Sequence, residues 1–216
     1  MPPAPRPAPA IVRWWCEPVS AFAGVPVPPA DAPRIARLAR DADRLRAVAG
    51  TVLLRRAVAR TSGVRTADLR VSRSCRRCGS DRHGKPWFPD TGVHASVSHS
   101  GGFVAVAVAT RPVGIDIEAL AAHTAGEWEL DEWVRVESVL KATGDGLAVD
   151  PRSVELMLDG DHRRVTAYGE GALDAVIVDL PTVAGAVGAV TALGTGPLVL
   201  RRGDLGDLDV AEDARG

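Results

Sequence analysis

The sequence predicts an α+β protein of two halves, and three observations predict it. Two helical stretches, Asp43 to Arg60 and Asp131 to Thr143, carry apolar residues at helical spacing. Each is followed by a run of short apolar segments broken by Gly, Pro and Asp, the pattern of strands and turns. Charge divides along the same line. Residues 1–110 hold 17 basic against 7 acidic residues, a net +10, and residues 111–216 hold 9 against 20, a net −11, within an overall charge of −1. A basic half joined to an acidic half suits a polyanion held on one side and a cation or basic partner on the other, or two halves that attract each other. The division expected is a Pro-rich disordered tail over 1–10, an N-terminal subdomain over 11–110 and a C-terminal subdomain over 111–216.

In chain order, Arg13 to Phe22 reads as a first strand and Gly24 to Pro33, with four prolines, as a loop. A short basic helix covers Arg34 to Arg40. The next helix sets Leu45, Val48, Ala49, Val52 and Leu53 at i, i+3, i+4, i+7 and i+8, and Thr61-Ser-Gly63 closes it. Its other face carries Arg44, Arg46, Arg55, Arg56 and Arg60, a mostly solvated surface from which one or two arginines can reach phosphate. Cys75-Arg-Arg-Cys78 followed by His83 is part of a zinc pattern. A structural zinc takes four ligands and the remaining cysteine, Cys16, is far off in sequence, so free thiols in a loop are expected. His83-Gly-Lys-Pro86 is a turn that projects Lys85. His94–Ser98 and Phe103–Ala109 form a hairpin linked by Ser98-His-Ser-Gly-Gly102.

Val113 to Ile117 is a buried strand. Alternation along it puts Asp116 and Glu118 on one face, opposite Ile115 and Ile117. Two carboxylates on one rigid edge can hold a hard cation; alone, such a pattern is more often a strand end whose acids face water. After a linker over 119–130, the second helix aligns Trp133, Glu137 and Lys141 at i, i+4 and i+8, with Val136 and Leu140 on a neighbouring apolar face. A surface ion pair is the plain alternative for Glu137 and Lys141. Ser153–Leu158, Ala172–Leu180, Ala184–Leu193 and Leu198–Arg201 complete the strands.

Composition narrows the classes. Hydrophobic content of 46% and charge of 25% are those of a globular protein. No apolar run approaches the roughly 20 residues of a membrane span. Three cysteines make no disulfide framework, and the opening MPPAPRPAPA lacks the apolar core of a secretory signal, so a cytoplasmic protein is expected. Of 26 basic residues only Lys85 and Lys141 are lysine, which draws attention to both. Nucleic-acid binding by the basic half is disfavoured, because residues 34–60 contain no aromatic side chain to stack on bases.

Five stretches, in order, carry a resemblance. They are Arg46-Ala-Val-Ala-Gly-Thr-Val-Leu-Leu-Arg55, His83-Gly-Lys-Pro-Trp87, Ser98-His-Ser-Gly-Gly-Phe103, Val113-Gly-Ile-Asp-Ile-Glu118 and the Trp133 to Lys141 helix. Together they resemble the 4′-phosphopantetheinyl transferases of the surfactin-synthetase (Sfp) type across roughly residues 34–147. The resemblance implies that family's fold: two α+β subdomains related by a pseudo-twofold axis, with the site in the cleft between them. It implies Mg²⁺-dependent transfer of the phosphopantetheine arm of coenzyme A to a serine of an acyl or peptidyl carrier protein, as in polyketide or nonribosomal peptide biosynthesis. By the same resemblance Asp116, Glu118 and Glu137 match the metal-binding acids. Arg46, Lys85, Ser98, His99 and Lys141 match positions on the coenzyme A phosphates. Glu137 matches the base and Lys141 the residue at the leaving phosphate, and a monomer is expected. For His99 a core or turn histidine is the alternative.

Two departures stand out. Val136 replaces a lysine of the family's W-x-x-K-E, and only 14 residues separate Glu118 from Trp133 where the family has a longer segment beside the carrier-docking surface. Both favour the rival reading, a relative that binds coenzyme A or a carrier protein without turnover. Retention of Asp116, Glu118, Glu137 and Lys141 opposes it.

Overall fold

Short apolar segments cannot bury themselves singly, and here they assemble into two sheets, each backed by one long helix. The computed structural model describes residues 9–122, 128–181 and 183–208. Strand β1 (Ala10–Pro18) runs into a 3₁₀ turn (Val19–Phe22), then come helices α1 (Ala32–Ala36) and α2 (Asp41–Ser62). Strands β2 (Ser72–Ser74), β3 (Lys85–Trp87), β4 (His94–Ser100), β5 (Phe103–Ala109) and β6 (Val113–Ala119) follow, and then helix α3 (Leu130–Thr143). Strands β7 (Val154–Asp159), β8 (His162–Tyr168), β9 (Ala175–Asp179), β10 (Ala186–Leu193) and β11 (Leu198–Arg202) end the order. The first sheet is ordered β11-β1-β5-β4-β3-β2 and the second β6-β10-β9-β8-β7, a mixed α/β architecture of two sheets.

Strand β5 explains how the layers stack. Its Val104, Val106 and Val108 enter the core beneath α2, with Trp15, Phe22, Leu53, Val58 and Phe88. Its Ala105, Ala107 and Ala109 face the other way and meet Val113, Ile115, Ile117 and Val190 of the second sheet. The run Phe-Val-Ala-Val-Ala-Val-Ala is therefore buried on both faces, with the large side chains toward the helix and the small ones toward the neighbouring sheet. Fully burying one such valine or leucine is worth about 1.5–3 kcal/mol.

Strand β4 uses the same alternation with polar residues. Ser96, Ser98 and Ser100 all face β6, and their hydroxyls accept the backbone N–H groups of Ile115 (3.2 Å), Ile117 (3.4 Å) and Ala119 (3.1 Å). No backbone pairing joins β4 to β6, so this serine ladder satisfies amides of a buried strand edge that would otherwise be costly.

Several expectations are corrected. Ser98, His99 and Ser100 belong to β4, because the hairpin closes on Gly101-Gly102 alone, with Ser100 opposite Phe103. Lys85 begins a strand instead of crowning a turn. Arg55, placed on a solvated face, is 6% exposed. Its Nε donates to Asp31 Oδ2 at 2.9 Å and its Nη1 to the Leu69 carbonyl at 3.0 Å. The middle of α2 is buried around its circumference, which an amphipathic reading does not foresee. Strand β8, His162–Tyr168, carries two arginines and no apolar run, and was not anticipated. A division at residue 111 does not hold for the last strand, since β11 pairs in parallel with β1 in the first sheet. Of the shortened segment, residues 123–127 lie outside the described residues; before them Leu120–Ala122 forms a 3₁₀ turn.

Candidate active site

Helix α3 lies directly on β6 and β10 because residue 114 has no side chain. A Cβ there would stand 2.0 Å from the Ser138 carbonyl oxygen and 2.4 Å from the Ala142 nitrogen. Ser138 Oγ lies 2.6 Å from Thr191 Oγ1 on the adjoining β10, which fixes the helix in rotation. The helix register then buries Val136, Val139 and Leu140 against Ile177 and Ala189. Glu137 and Lys141, one turn apart, are left over the acidic edge of β6. Val136 thus fills the core beneath α3, in keeping with a broader apolar face at that position.

Ser98, His99, Asp116, Glu118, Glu137 and Lys141 line one depression of about 390 Å³, together with Val97 and Trp133. Asp116 is 2% exposed. Its Oδ1 accepts the Lys141 ammonium at 2.5 Å and the Ser98 hydroxyl at 2.7 Å. Ser98 Oγ in turn accepts from Lys141 Nζ at 3.0 Å. Ser100 donates to Glu118 Oε2 at 2.5 Å. The other oxygen of Asp116, Oδ2, is buried and finds no hydrogen-bond partner among the described residues. The three carboxylates share the depression without closing on one another: their oxygens do not all come within 4.8 Å. Lys141 supplies the positive charge that Asp116 meets.

Electrostatics follow from this crowding. Burial raises the pKa of Glu137; Lys141 opposes the rise, and the negative Asp116 and Glu118 add to it. Burial lowers the pKa of His99, and the cations Lys141 and Arg46 lower it further. A hydrogen bond to its own backbone opposes this, and on balance the neutral imidazole is favoured. Arg46 does not line the depression, though its charge reaches His99; its Nη2 is on Asp43 Oδ1 at 2.6 Å and its Nη1 3.4 Å from the Gly101 carbonyl.

Two coenzyme A positions behave differently from the expectation. Lys85 is not brought to the depression. Its ammonium donates to the carbonyls of Val113 (2.9 Å), Lys141 (2.8 Å) and Ala142 (2.5 Å), so it caps α3 and ties that helix to β6. Burial pushes its pKa down to about 8. The hydroxyl proton of Ser98 is directed at Asp116, so in this arrangement Ser98 orients the acid and has no donor left for phosphate. Sequence reasoning passed over Ser96 and Ser100. The signal was present in the Ser-x-Ser-x-Ser alternation of β4, which places all three hydroxyls on one face.

The carboxylate- and lysine-lined opening lies above a strand edge, in a fold of two sheets with one long helix each. Comparison with known proteins narrows the class. Residues 16–111 match the family described as 4′-phosphopantetheinyl transferase, N-terminal. The chain is 30% identical to the 4′-phosphopantetheinyl transferase Sfp of Bacillus subtilis (strain 168), 31% to the 4′-phosphopantetheinyl transferase ffp and 28% to another 4′-phosphopantetheinyl transferase, both of Bacillus subtilis. Each match covers 55% of this chain and 61% of the relative, so the chain spans about three fifths of the length of the curated relatives it matches. Over these segments the chain is similar to 4′-phosphopantetheinyl transferases, Sfp of Bacillus subtilis among them.

Proposed function

We propose that this chain transfers the 4′-phosphopantetheine arm of coenzyme A to a serine of an acyl or peptidyl carrier protein, with Mg²⁺. The observation that carries the reading is the meeting of Asp116, Glu118, Glu137, His99 and Lys141, from β4, β6 and α3, around one opening. In this reading the two sheet-and-helix layers act as the family's pseudo-twofold halves, with the site between them.

The donor set fits Mg²⁺. Asp116, Glu118 and Glu137 offer hard carboxylate oxygens, and Asp116 Oδ2 is a buried acceptor without a partner. These three residues would hold the ion. When bound, Mg²⁺ polarises the pyrophosphate of coenzyme A and neutralises charge as the bond to the leaving 3′,5′-ADP breaks. The chain's own groups account for the remainder. Glu137, with its raised pKa, accepts the proton of the attacking serine hydroxyl. Lys141 donates hydrogen bonds to the leaving phosphate, and neutral His99 donates to a phosphate oxygen. Arg46, whose charge reaches His99, meets a further phosphate of coenzyme A. Ser98 and Ser100 hold Asp116 and Glu118 in place.

Docking of the carrier is assigned to the basic surface of residues 34–82. A groove of about 560 Å³ there is lined by Arg34, Arg37, Arg70, Arg73 and Arg82 against Asp31 and Asp81, a surplus of positive charge suited to an acidic partner. The chain acts as a monomer in the cytoplasm in this reading. The test is the mass of an apo carrier protein after incubation with the chain, coenzyme A and Mg²⁺. The wild-type chain adds one phosphopantetheine arm. Asp116→Ala adds none while remaining folded, and Glu137→Gln slows transfer more than it weakens coenzyme A binding. A folded, fully active Asp116→Ala would overturn the assignment.

A further inference from the structure

Between β2 and β3 the chain loops away from the sheet, and three metal-capable side chains meet at the tip. Cys75, Cys78 and His83 each bring a donor atom within 4.8 Å of the other two, and Cys78 Sγ lies 3.2 Å from His83 Nε2. Among the described residues no other trio of His, Cys, Asp or Glu donors is gathered as closely, the acids of the depression included.

The backbone beneath them is a tight hydrogen-bonded turn. The Gly79 N–H donates to the Cys75 carbonyl at 2.8 Å, and the Cys75 N–H donates to the Ser80 carbonyl at 2.9 Å. Gly79 has φ +69°, the left-handed conformation this tight turn needs. Free thiols on a loose loop have no reason to converge on an imidazole at hydrogen-bonding range, because ordering the loop costs conformational entropy.

The geometry points to a Zn²⁺ site at Cys75, Cys78 and His83, with water as fourth ligand, that fastens the β2–β3 loop. Two sulfurs and one imidazole nitrogen suit zinc and are poor ligands for Mg²⁺. Three protein ligands leave one tetrahedral position, and the exposure of Cys78 and His83 lets water fill it. Binding releases the thiol protons to solvent and changes no oxidation state. The location gives the site a purpose. Arg76, inside the loop, pairs with Asp145 at 2.7 Å just beyond α3, and Lys85, two residues after His83, caps that helix. A zinc-fastened loop therefore steadies the element that anchors the end of α3. This stands whether or not the chain transfers phosphopantetheine.

Metal content of the purified full chain, kept reduced, tests the site. One zinc per chain is expected; Cys75→Ser with Cys78→Ser, and His83→Ala, should each lose it, while Cys16→Ala keeps it. Cobalt substitution should give thiolate-to-metal charge-transfer absorption that disappears in the double serine variant. Removal of zinc should make trypsin cut after Arg76, Arg77 and Arg82 several times faster, with the rest of the fold intact. The proposal is overturned by a chain that takes up neither zinc nor cobalt, by zinc retained in the double serine variant, or by a Cys75–Cys78 disulfide persisting in the reduced protein.

Discussion

Among the described residues, two sets of metal-capable side chains are built in opposite ways. Cys75, Cys78 and His83 come from one short exposed loop and are soft donors already drawn together. Asp116, Glu118 and Glu137 come from a buried strand and a helix, are hard donors, and stand apart, with Lys141 seated on Asp116. A local cluster depends on turn geometry. A dispersed one depends on how α3 lies on β6, and hence on Gly114, Lys85 and the serine ladder. The dispersed cluster is thus sensitive to changes far from it, and the local one is insulated.

Substitutions can break this contrast in graded steps. Gly114→Val forces a side chain into the backbone of α3 and should cost more than about 3 kcal/mol in denaturant unfolding. Zinc per folded chain should not change. Lys85→Met leaves three carbonyls without their donor and should cost about 2 kcal/mol. This residue also predicts a pH dependence. Its folded pKa of about 8 lies below the ordinary 10.5, so between those values the unfolded chain holds more protons. Wild-type stability relative to Lys85→Met should therefore rise with pH across that window and fall as pH drops through 8. The same difference measured on either side of the window, with no change, would contradict the burial of Lys85. Ser98→Ala removes the hydroxyl shared by Asp116, Lys141 and the Ile117 amide and should cost about 1–2 kcal/mol. Cys75→Ser with Cys78→Ser should shift the stability of the metal-free chain by less than about 0.5 kcal/mol, as befits an exposed loop. A cost as large as that of Lys85→Met would remove the insulation inferred for the local cluster.

What the sequence made legible follows the same contrast. The alternation of Val113–Glu118 and the helical spacing of Trp133, Glu137 and Lys141 put each group on one face by backbone geometry alone, and the resemblance, which added Ser98 and His99, joined them into one depression. Spacing says nothing about which group a side chain meets. Lys85 read as a phosphate ligand and is a helix cap; Ser98 read the same way and faces Asp116. Arg55 read as surface because charged residues usually are, yet Asp31, 24 positions earlier, supplies a buried partner. Cysteine and histidine in one loop were undervalued for the converse reason. Counting to four ligands discounted a trio that the turn brings into contact. The parallel return of β11 to β1 spans nearly the whole chain, and no local pattern encodes it.

The most direct test of the functional account is the intact mass of an apo carrier protein incubated with this chain, coenzyme A and Mg²⁺. The account predicts a gain of one phosphopantetheine arm that requires Mg²⁺ and vanishes with Asp116→Ala. Coenzyme A bound by the folded chain, with no mass gained by any of a panel of acyl and peptidyl carriers, would contradict it and leave a binding protein in its place.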